Sequence, residues 1–459
     1  MKKLISAGVV MATLAACAGT PPNTIVDAGR DAPLKLAPRP DYPGYGSAVG
    51  QQKIDWSPST LAEDFAELMF ESEWGAQYTR LLRWRGPVTI ALADPELDAY
   101  RPEVETLVDM VREAVPGLDL SLSPMRSGSI TLRTVPYGEM AAIEPTALCF
   151  FVPVDEDFDG FVAAAERGEG RWEDVKRLEA VTIFIPQYAK PRVFRSCIIE
   201  EIAQALGPGN DLYRLEDSGF NDDGAHDYLT AFDLLMLRVL YAPEIRDDMS
   251  RGEATRAAEA VIRRVSAGRT GTRIRSARRV DEQYNAAMEN FLASRGRNAD
   301  RKAINAALRA TRTMSQDDHR RGAALRHSAF LHRDEGNFDK AVADMREAVE
   351  LFERTLPANS ARLARARSDF GFILIDADDY DDAAKYLKMS EAGLAANRID
   401  DELAYTLFQR AIALRLAGRI GEARSVEKQA LDWAAYVFGA DGETLSRWQK
   451  VFKDINETS

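Results

Sequence analysis

Histidine is scarce in this sequence: His226, His319, His327 and His332 are the four in 459 residues. None of them lies between residues 197 and 211, which weakens a zinc-enzyme reading. Cysteine is nearly as rare, with only Cys17, Cys149 and Cys197. That rules out a four-thiolate zinc site and a disulfide-dense scaffold. After the first sixteen residues no apolar run is long enough to span a bilayer as a helix. Positive charge is not in excess either: 59 Lys and Arg face 72 Asp and Glu, a formal charge of −13. A general nucleic-acid binder draws its affinity from neutralising phosphates, so no nucleic-acid partner is expected. What is present is an ordinary soluble mixture, 46% hydrophobic and 29% charged, with ample core material. The length suits two or three domains at about 150 residues each.

The N-terminus is patterned. Met1-Lys2-Lys3 is a basic start, and Leu4 to Leu14 is a short apolar stretch. Leu14-Ala15-Ala16-Cys17 closes it. This resembles a bacterial lipobox, which implies cleavage of residues 1–16 and lipid on Cys17. Ala18 follows the cysteine rather than Asp. In the sorting rule this resembles, such lipoproteins reach the periplasmic face of the outer membrane. Residues 17–55, rich in Pro, Gly, Ala and Asp, are expected to be a lipidated disordered tether.

Residues 56–250 carry an α+β pattern. Thr60 to Glu63 suits a capping box, and Leu61, Phe65, Leu68 and Met69 repeat at helical spacing, predicting a helix to about Leu82. Strands are expected at 88–92, 130–135, 147–154 and 181–185, and a helix at 103–114. Thr230 caps a further helix that runs to Tyr241.

The stretch from Cys197 to Asp211, CIIEEIAQALGPGND, carries the chemistry. It resembles the metzincin metalloprotease pattern H-E-x-x-H-x-x-G-x-x-H with all three ligands replaced. Glu200, Gln204 and Asn210 stand in the histidine slots. Glu201 keeps the place of the general base, Gly207 that of the turn glycine, and Asp211 follows. Positions i and i+4 share one helix face, which is why two histidines there can hold Zn2+. Amide oxygens are poor zinc ligands, so no catalytic zinc and no other cofactor is expected. Ser218-Gly219-Phe220-Asn221 sits where a metzincin has its Met-turn, with Phe220 in place of Met. The helix ending in Leu240-Tyr241 resembles the C-terminal helix of matrix-metalloprotease-like domains. The span also resembles a bacterial envelope family described only as a domain of unknown function, in which Glu-Glu-x-x-Gln and Phe-Asn-Asp are typical. The resemblance implies a zincin-like, metzincin-type frame and a pseudo-metalloprotease with no activity to carry over.

Cys149 and Cys197 are an even pair once Cys17 is lipidated. In an oxidising periplasm they are expected to bridge. Closing about 48 residues would contribute ~3–4 kcal/mol in the chain-entropy model. The carboxylates Glu200, Glu201, Asp211, Asp222 and Asp223 leave two alternatives open. One is a Ca2+ or Mg2+ site. The other is a histidine-free hydrolase, directed at peptide or glycan, using Glu200, Glu201 and Asp211 as acid and base. Adjacent helical residues point about 100° apart, so Glu200 and Glu201 cannot both face one ion.

Residues 251–279 are expected to be a basic linker, with Arg263, Arg264, Arg269, Arg273, Arg275, Arg278 and Arg279. It would be a solvated connector, with an anionic partner as the alternative. Residues 280–459 have helical periodicity and an internal repeat. Gly336, Asp378 and Gly418 each begin a turn, 42 and 40 residues apart. Small residues precede each by seven (Ala329, Gly371, Ala411) and follow by five (Ala341, Ala383, Ala423) and twelve (Ala348, Ser390, Ala430). This resembles the tetratricopeptide repeat in the longer, kinesin-light-chain form. Ala303 and Ala310 suggest a divergent preceding unit, and 431–452 with Trp433 and Trp448 suggests a cap. Such an array binds protein segments, so an envelope protein or peptide is the expected partner. The sequence thus points to an envelope adaptor or scaffold, held to the membrane through Cys17.

Overall fold

The computed structural model describes residues 25–27, 29–72, 77–144, 147–215, 218–221, 226–266, 270–274, 278–292 and 296–458. Cys17, Asp222, Asp223, Arg269 and Arg275 lie outside them, as do the side chains of Arg278 and Arg279.

The first region is a mixed α/β body. Its elements are α1 (Pro58–Phe70), β1 (Val88–Leu92), α2 (Arg101–Ala114), β2 (Leu120–Leu122), β3 (Ile130–Val135), α3 (Tyr137–Ile143), β4 (Phe150–Val152), α4 (Phe158–Glu166), β5 (Val181–Pro186), α5 (Pro191–Ala205), α6 (Ala231–Leu240) and α7 (Arg251–Ser266). One five-stranded sheet runs β2-β1-β3-β5-β4. All its pairs are parallel except β4–β5, in which Phe151 lies opposite Ile183. A parallel strand is covered on both faces, which explains why β5 is apolar except for Thr182 and wholly buried.

Three expectations need correction here. The helix from residue 58 ends at Phe70 rather than near Leu82, because Glu71 turns extended and bridges to Gln77. Leu81 and Leu82 are buried by packing, not by a continuing helix. The strand expected at 147–154 is only three residues long, and β2 was not anticipated. Residues 251–266 are not a linker. Ala254, Ala258, Val261 and Ile262 form an apolar stripe at helical spacing, and α7 packs that stripe into the first core. Its basic residues are engaged locally: Arg263 with Glu259 at 2.5 Å and Arg264 with Glu244 at 2.9 Å. Arg273 bridges to Trp56 and lies over its ring at 4.2 Å.

The second region is all helical: α8 (Arg278–Leu292), α9 (Arg297–Thr311), α10 (His319–Asp334), α11 (Phe338–Thr355), α12 (Ala361–Asp376), α13 (Tyr380–Ala396), α14 (Asp400–Leu416), α15 (Ile420–Phe438) and α16 (Glu443–Thr458). Consecutive helices pack in antiparallel pairs, and the small residues mark their crossings. Ala329, Ala341, Ala348, Ala383, Ser390, Ala411, Ala423 and Ala430 are all fully buried. A Cβ on Gly371 would lie 2.4 Å from Leu387 Cγ, so nothing larger than glycine fits between α12 and α13. The turn residues Gly336, Asp378 and Gly418 all take positive φ, the conformation that ends a helix and reverses the chain. Trp433 belongs to α15 and Trp448 to α16, so the expected cap spans parts of two helices.

Residues 29–55 are not a free tether. They run over both regions. Ala440 N–H donates to Lys35 O at 2.8 Å, and Arg30 pairs with Asp441 at 2.8 Å. Gly46 and Ala48 N–H donate to the carbonyls of Ala395 and Ala396, each at 2.9 Å. The stretch contains Leu34, Leu36, Tyr42, Tyr45 and Ile54. That apolar content is enough to offset the ordering of a short segment, which a Pro- and Gly-based reading underweights.

Candidate functional site

The candidate site is built at the end of α5. Pro191 opens this helix at a position where its missing N–H costs nothing. Val193, Phe194, Cys197, Ile198 and Ile202 form its core face. Cys197 is bonded to Cys149, just ahead of β4, with a Cα–Cα separation of 5.9 Å. The helix is thereby pinned to the edge of the sheet.

A helix end leaves carbonyls without intrahelical donors. Side chains from elsewhere in the domain supply them. Trp84 Nε1 donates to Ala205 O at 2.8 Å, and the Tyr241 hydroxyl donates to Leu206 O at 2.7 Å. Burial pushes the Tyr241 hydroxyl pKa well above its ordinary value. The chain then bends at Gly207, whose φ is +148°. A Cβ there would lie 2.4 Å from Leu240 Cδ2. Both facts require glycine.

The residues singled out by sequence separate at this point. Gln204 is buried, and its amide donates to Asp211 Oδ2 at 3.0 Å. Asn210 is also buried, but its amide reaches Glu67 O on α1 at 3.4 Å. Gly209 N–H donates to Leu68 O at 3.2 Å. Glu201 is 5% exposed, while Glu200 is only half-buried. The structure therefore joins Gln204 to Asp211 and turns Asn210 away towards α1. Among the described residues, no three His, Cys, Asp or Glu side chains form a metal-holding group.

The turn that follows is braced by ionic and polar contacts. Arg214 pairs with Asp64 at 3.1 Å and with Glu67 at 2.6 Å, all largely buried. Asn221 donates through its amide to Leu215 O at 2.6 Å. Phe220, standing where a Met-turn would place methionine, is 1% exposed, and its carbonyl accepts from Leu212 N–H at 3.0 Å. Thr230 and Asp233 form a reciprocal capping box on α6. Asp233 also accepts from Ser218 Oγ at 2.5 Å and from Gly219 N–H at 3.0 Å. Burial raises its pKa to about 6, against these hydrogen bonds.

Beside Gln204 lies a pocket of about 410 Å3, counted out to its open mouth. Met69, Tyr78, Leu82, Phe151 and Trp172 form its apolar walls, with Ala205, Gly207 and Gly209 at its edge. Phe151 belongs to the edge strand β4 and meets Trp172 edge-on at 5.1 Å. Ser72 joins Gln204 among its polar lining residues, and most of the remaining lining is apolar or aromatic.

A second polar assembly escaped the sequence reading. It joins the two regions. Asp227 pairs with Arg365 of α12 at 2.9 Å, and Arg192 of α5 with Asp401 of α14 at 3.4 Å. Arg195 donates to Tyr436 O at 2.9 Å and lies 3.8 Å over that ring. His319 Nε2 contacts Tyr213 O at 3.1 Å. Burial raises the pKa of Asp227 to about 7, and Arg365 works against it. Glu402 is raised to about 7 and Asp400 to about 6, burial again being the main cause. Apart from Arg192 and Arg195 on α5, these residues sit in repeats or loops, and none belongs to a local motif that marks it in the sequence. Tyr42 and Tyr45 did carry one: two aromatics in a stretch otherwise poor in them.

Comparison with known proteins agrees with this division. Residues 58–260 match the model of a protein family of unknown function (DUF2927), and residues 320–396 match a tetratricopeptide repeat model. The family match thus takes in much of α7, which the sequence reading assigned to a linker. No curated protein matches the chain. Among solved structures, it is similar to a Podosopora anserina protein described as a kinesin light chain with nearly identical TPR-like repeats. The identity is 13%, with 39% of this chain and 90% of that one covered and a TM-score of 0.31. A single-substitution variant of that protein matches at 13% identity, the same coverage and a TM-score of 0.32.

Proposed function

We propose that this chain is an envelope lipoprotein that acts as an adaptor. Its first domain keeps a protease-like frame without zinc chemistry, and its repeats hold a protein partner. Lipid on Cys17 would attach it to the periplasmic face of the outer membrane. The observation that carries the inactive-site reading is the use made of the three ligand slots. Gln204 is spent on Asp211 and Asn210 on the α1 backbone, while Glu200 stays half-buried. Gln204 and Asn210 so placed brace a turn, which supports a site built without a zinc ion. The run of strand, helix, strands and motif helix supports the zincin-like frame. The repeat match supports the adaptor role, since such arrays generally bind proteins.

Three measurements test this. Elemental analysis of purified protein should find no stoichiometric transition metal. Peptide cleavage should be undetectable, and any cleavage that Glu201→Gln abolishes would overturn the reading. Metabolic labelling with a radioactive fatty acid should mark the unaltered chain and not Cys17→Ala. Labelling of both, or of neither, would remove the lipoprotein assignment.

A further inference from the structure

The repeat array already has an occupant. Residues 42–48, in the sequence YPGYGSA, lie against α13, α14 and α15 without forming helix or strand. Their contacts are those of a bound peptide. Gly46 and Ala48 N–H donate to the carbonyls of Ala395 and Ala396 at the end of α13. The Tyr42 and Tyr45 rings pack on Trp433 at 6.3 and 5.8 Å between centroids. The Tyr42 hydroxyl donates to Glu391 at 2.6 Å, and the Tyr45 hydroxyl to Asp400 at 2.8 Å. Arg398 lies 5.3 Å from the Tyr45 ring.

Two features make this trough selective. Glu391 is 1% exposed, so a carboxylate inside the array takes a hydroxyl from the segment laid over it. Arg410 and Lys388, the latter at 2.8 Å, also hold this carboxylate, so an occupant lacking the hydroxyl forfeits one charge-assisted hydrogen bond and leaves the ion pairs in place. The backbone bonds at Gly46 and Ala48 come from a chain that turns repeatedly, with Gly44 and Gly46 at positive φ, and they need small side chains, since Ala48 is itself buried.

The chain on either side of this segment helps to stitch the two cores together. Val26, Leu36 and Ile54 pack on the core of the first region, whereas Tyr42 and Tyr45 pack on the core of the array. Gln52 donates to Asn397 and accepts from Ala231 N–H, at 3.4 and 2.9 Å.

We infer that the trough formed by Glu391, Ala395–Asp400 and Trp433 is the partner site of the array. It takes a protein segment that turns at glycines, with two tyrosines three residues apart followed by small residues, and residues 42–48 fill it as a built-in competitor. The inference rests on the adaptor reading above and gives that reading a location and a ligand chemistry. A partner segment entering the trough displaces the strap and loosens the first region from the repeats.

The test uses the full chain and a fluorescein-labelled synthetic peptide of residues 38–50. The chain carrying Tyr42→Ala and Tyr45→Ala should bind this probe about tenfold or more tighter than the unaltered chain, whose trough is filled. A probe with both tyrosines replaced by phenylalanine should bind about tenfold weaker, the loss of two hydrogen bonds. Should the alanine variant lose its circular dichroism, the Tyr42→Phe, Tyr45→Phe chain serves instead. A folded variant that binds the probe no better than the unaltered chain, or that binds both probes equally, overturns the assignment. Envelope proteins retained by the unlocked chain should be released by the probe. Retention that the probe does not compete leaves the adaptor reading standing and removes the trough as its site.

Discussion

The two regions bury their polar groups in different ways. In the first, buried polar side chains close turns: Gln204 on Asp211, Asn221 on Leu215 O, Asp233 on Ser218 and Gly219. Each lies within a few residues of the end of α5 or the start of α6, and Arg214 adds one longer-range buried pairing to Asp64 and Glu67 of α1. In the array the buried charges are paired across helices: Arg410 with Glu391, Arg415 with Glu427, and Arg333 with Asp376. The first region holds one irregular path around a sheet, so its polar groups are needed where helices end. The array repeats one regular crossing, so its polar groups are needed between helices. A site evolves most readily in the first kind of region, and a docking surface in the second.

That contrast can be broken from either side. The largest effect should come from Cys149→Ser with Cys197→Ser. Opening a loop of 48 residues removes roughly 3–4 kcal/mol in the chain-entropy model. Hydrogen exchange should then speed up in β5 and α5 and stay unchanged in α12 and α13. Equal acceleration in both regions would mean that they unfold as one unit. Gly371→Leu should do the reverse, costing roughly 1–3 kcal/mol by overpacking against Leu387. Exchange should accelerate in α12 and α13 with little change in the sheet.

A third, smaller effect should appear at the junction. Asp227 and Glu402 have pKa values raised to about 7, and Asp400 to about 6, chiefly by burial. Arg365 and Arg192 oppose the rise, and Asp401 and Asp369 add to it. Their unfolded values are ordinary carboxylate ones, near ~4. Stability from these groups is thus complete below about pH 4 and fades as pH rises through 6 to 7. Amides of residues 398–405, corrected for intrinsic exchange, should be about tenfold less protected at pH 8 than at pH 5.5. The opposite trend would show that ion pairing outweighs burial there. The smallest effect should be Thr230→Ala, which removes one half of the capping box on α6 for about 1 kcal/mol. Thermal unfolding should register it without altering probe binding to the trough.

Much of this architecture could be seen in the residues. The periodicity at 104, 107, 108 and 111 marked α2, and the β-branched run at 181–185 marked β5. The small residues flanking Gly336, Asp378 and Gly418 marked the helix crossings. Errors arose where a segment's partner is remote in sequence. The stretch before residue 56 has the composition of a tether, yet Tyr42 meets Glu391 across 349 positions. Residues 251–266 read as a linker by their arginines, although four apolar residues on one face suffice to dock them.

By itself, then, the sequence determined what is local: helix faces, turn glycines, the absence of histidine at the ligand slots, and a cysteine pair available to bridge. Spacing along one chain is enough to set these, because each depends on neighbours within a turn or two. Only the tertiary structure decided which groups meet. It gave Gln204 to Asp211, turned Asn210 to α1, and laid Tyr42 and Tyr45 on Trp433. Those pairings depend on which buried acceptor is left short of a donor once distant segments have packed, and no local pattern records that.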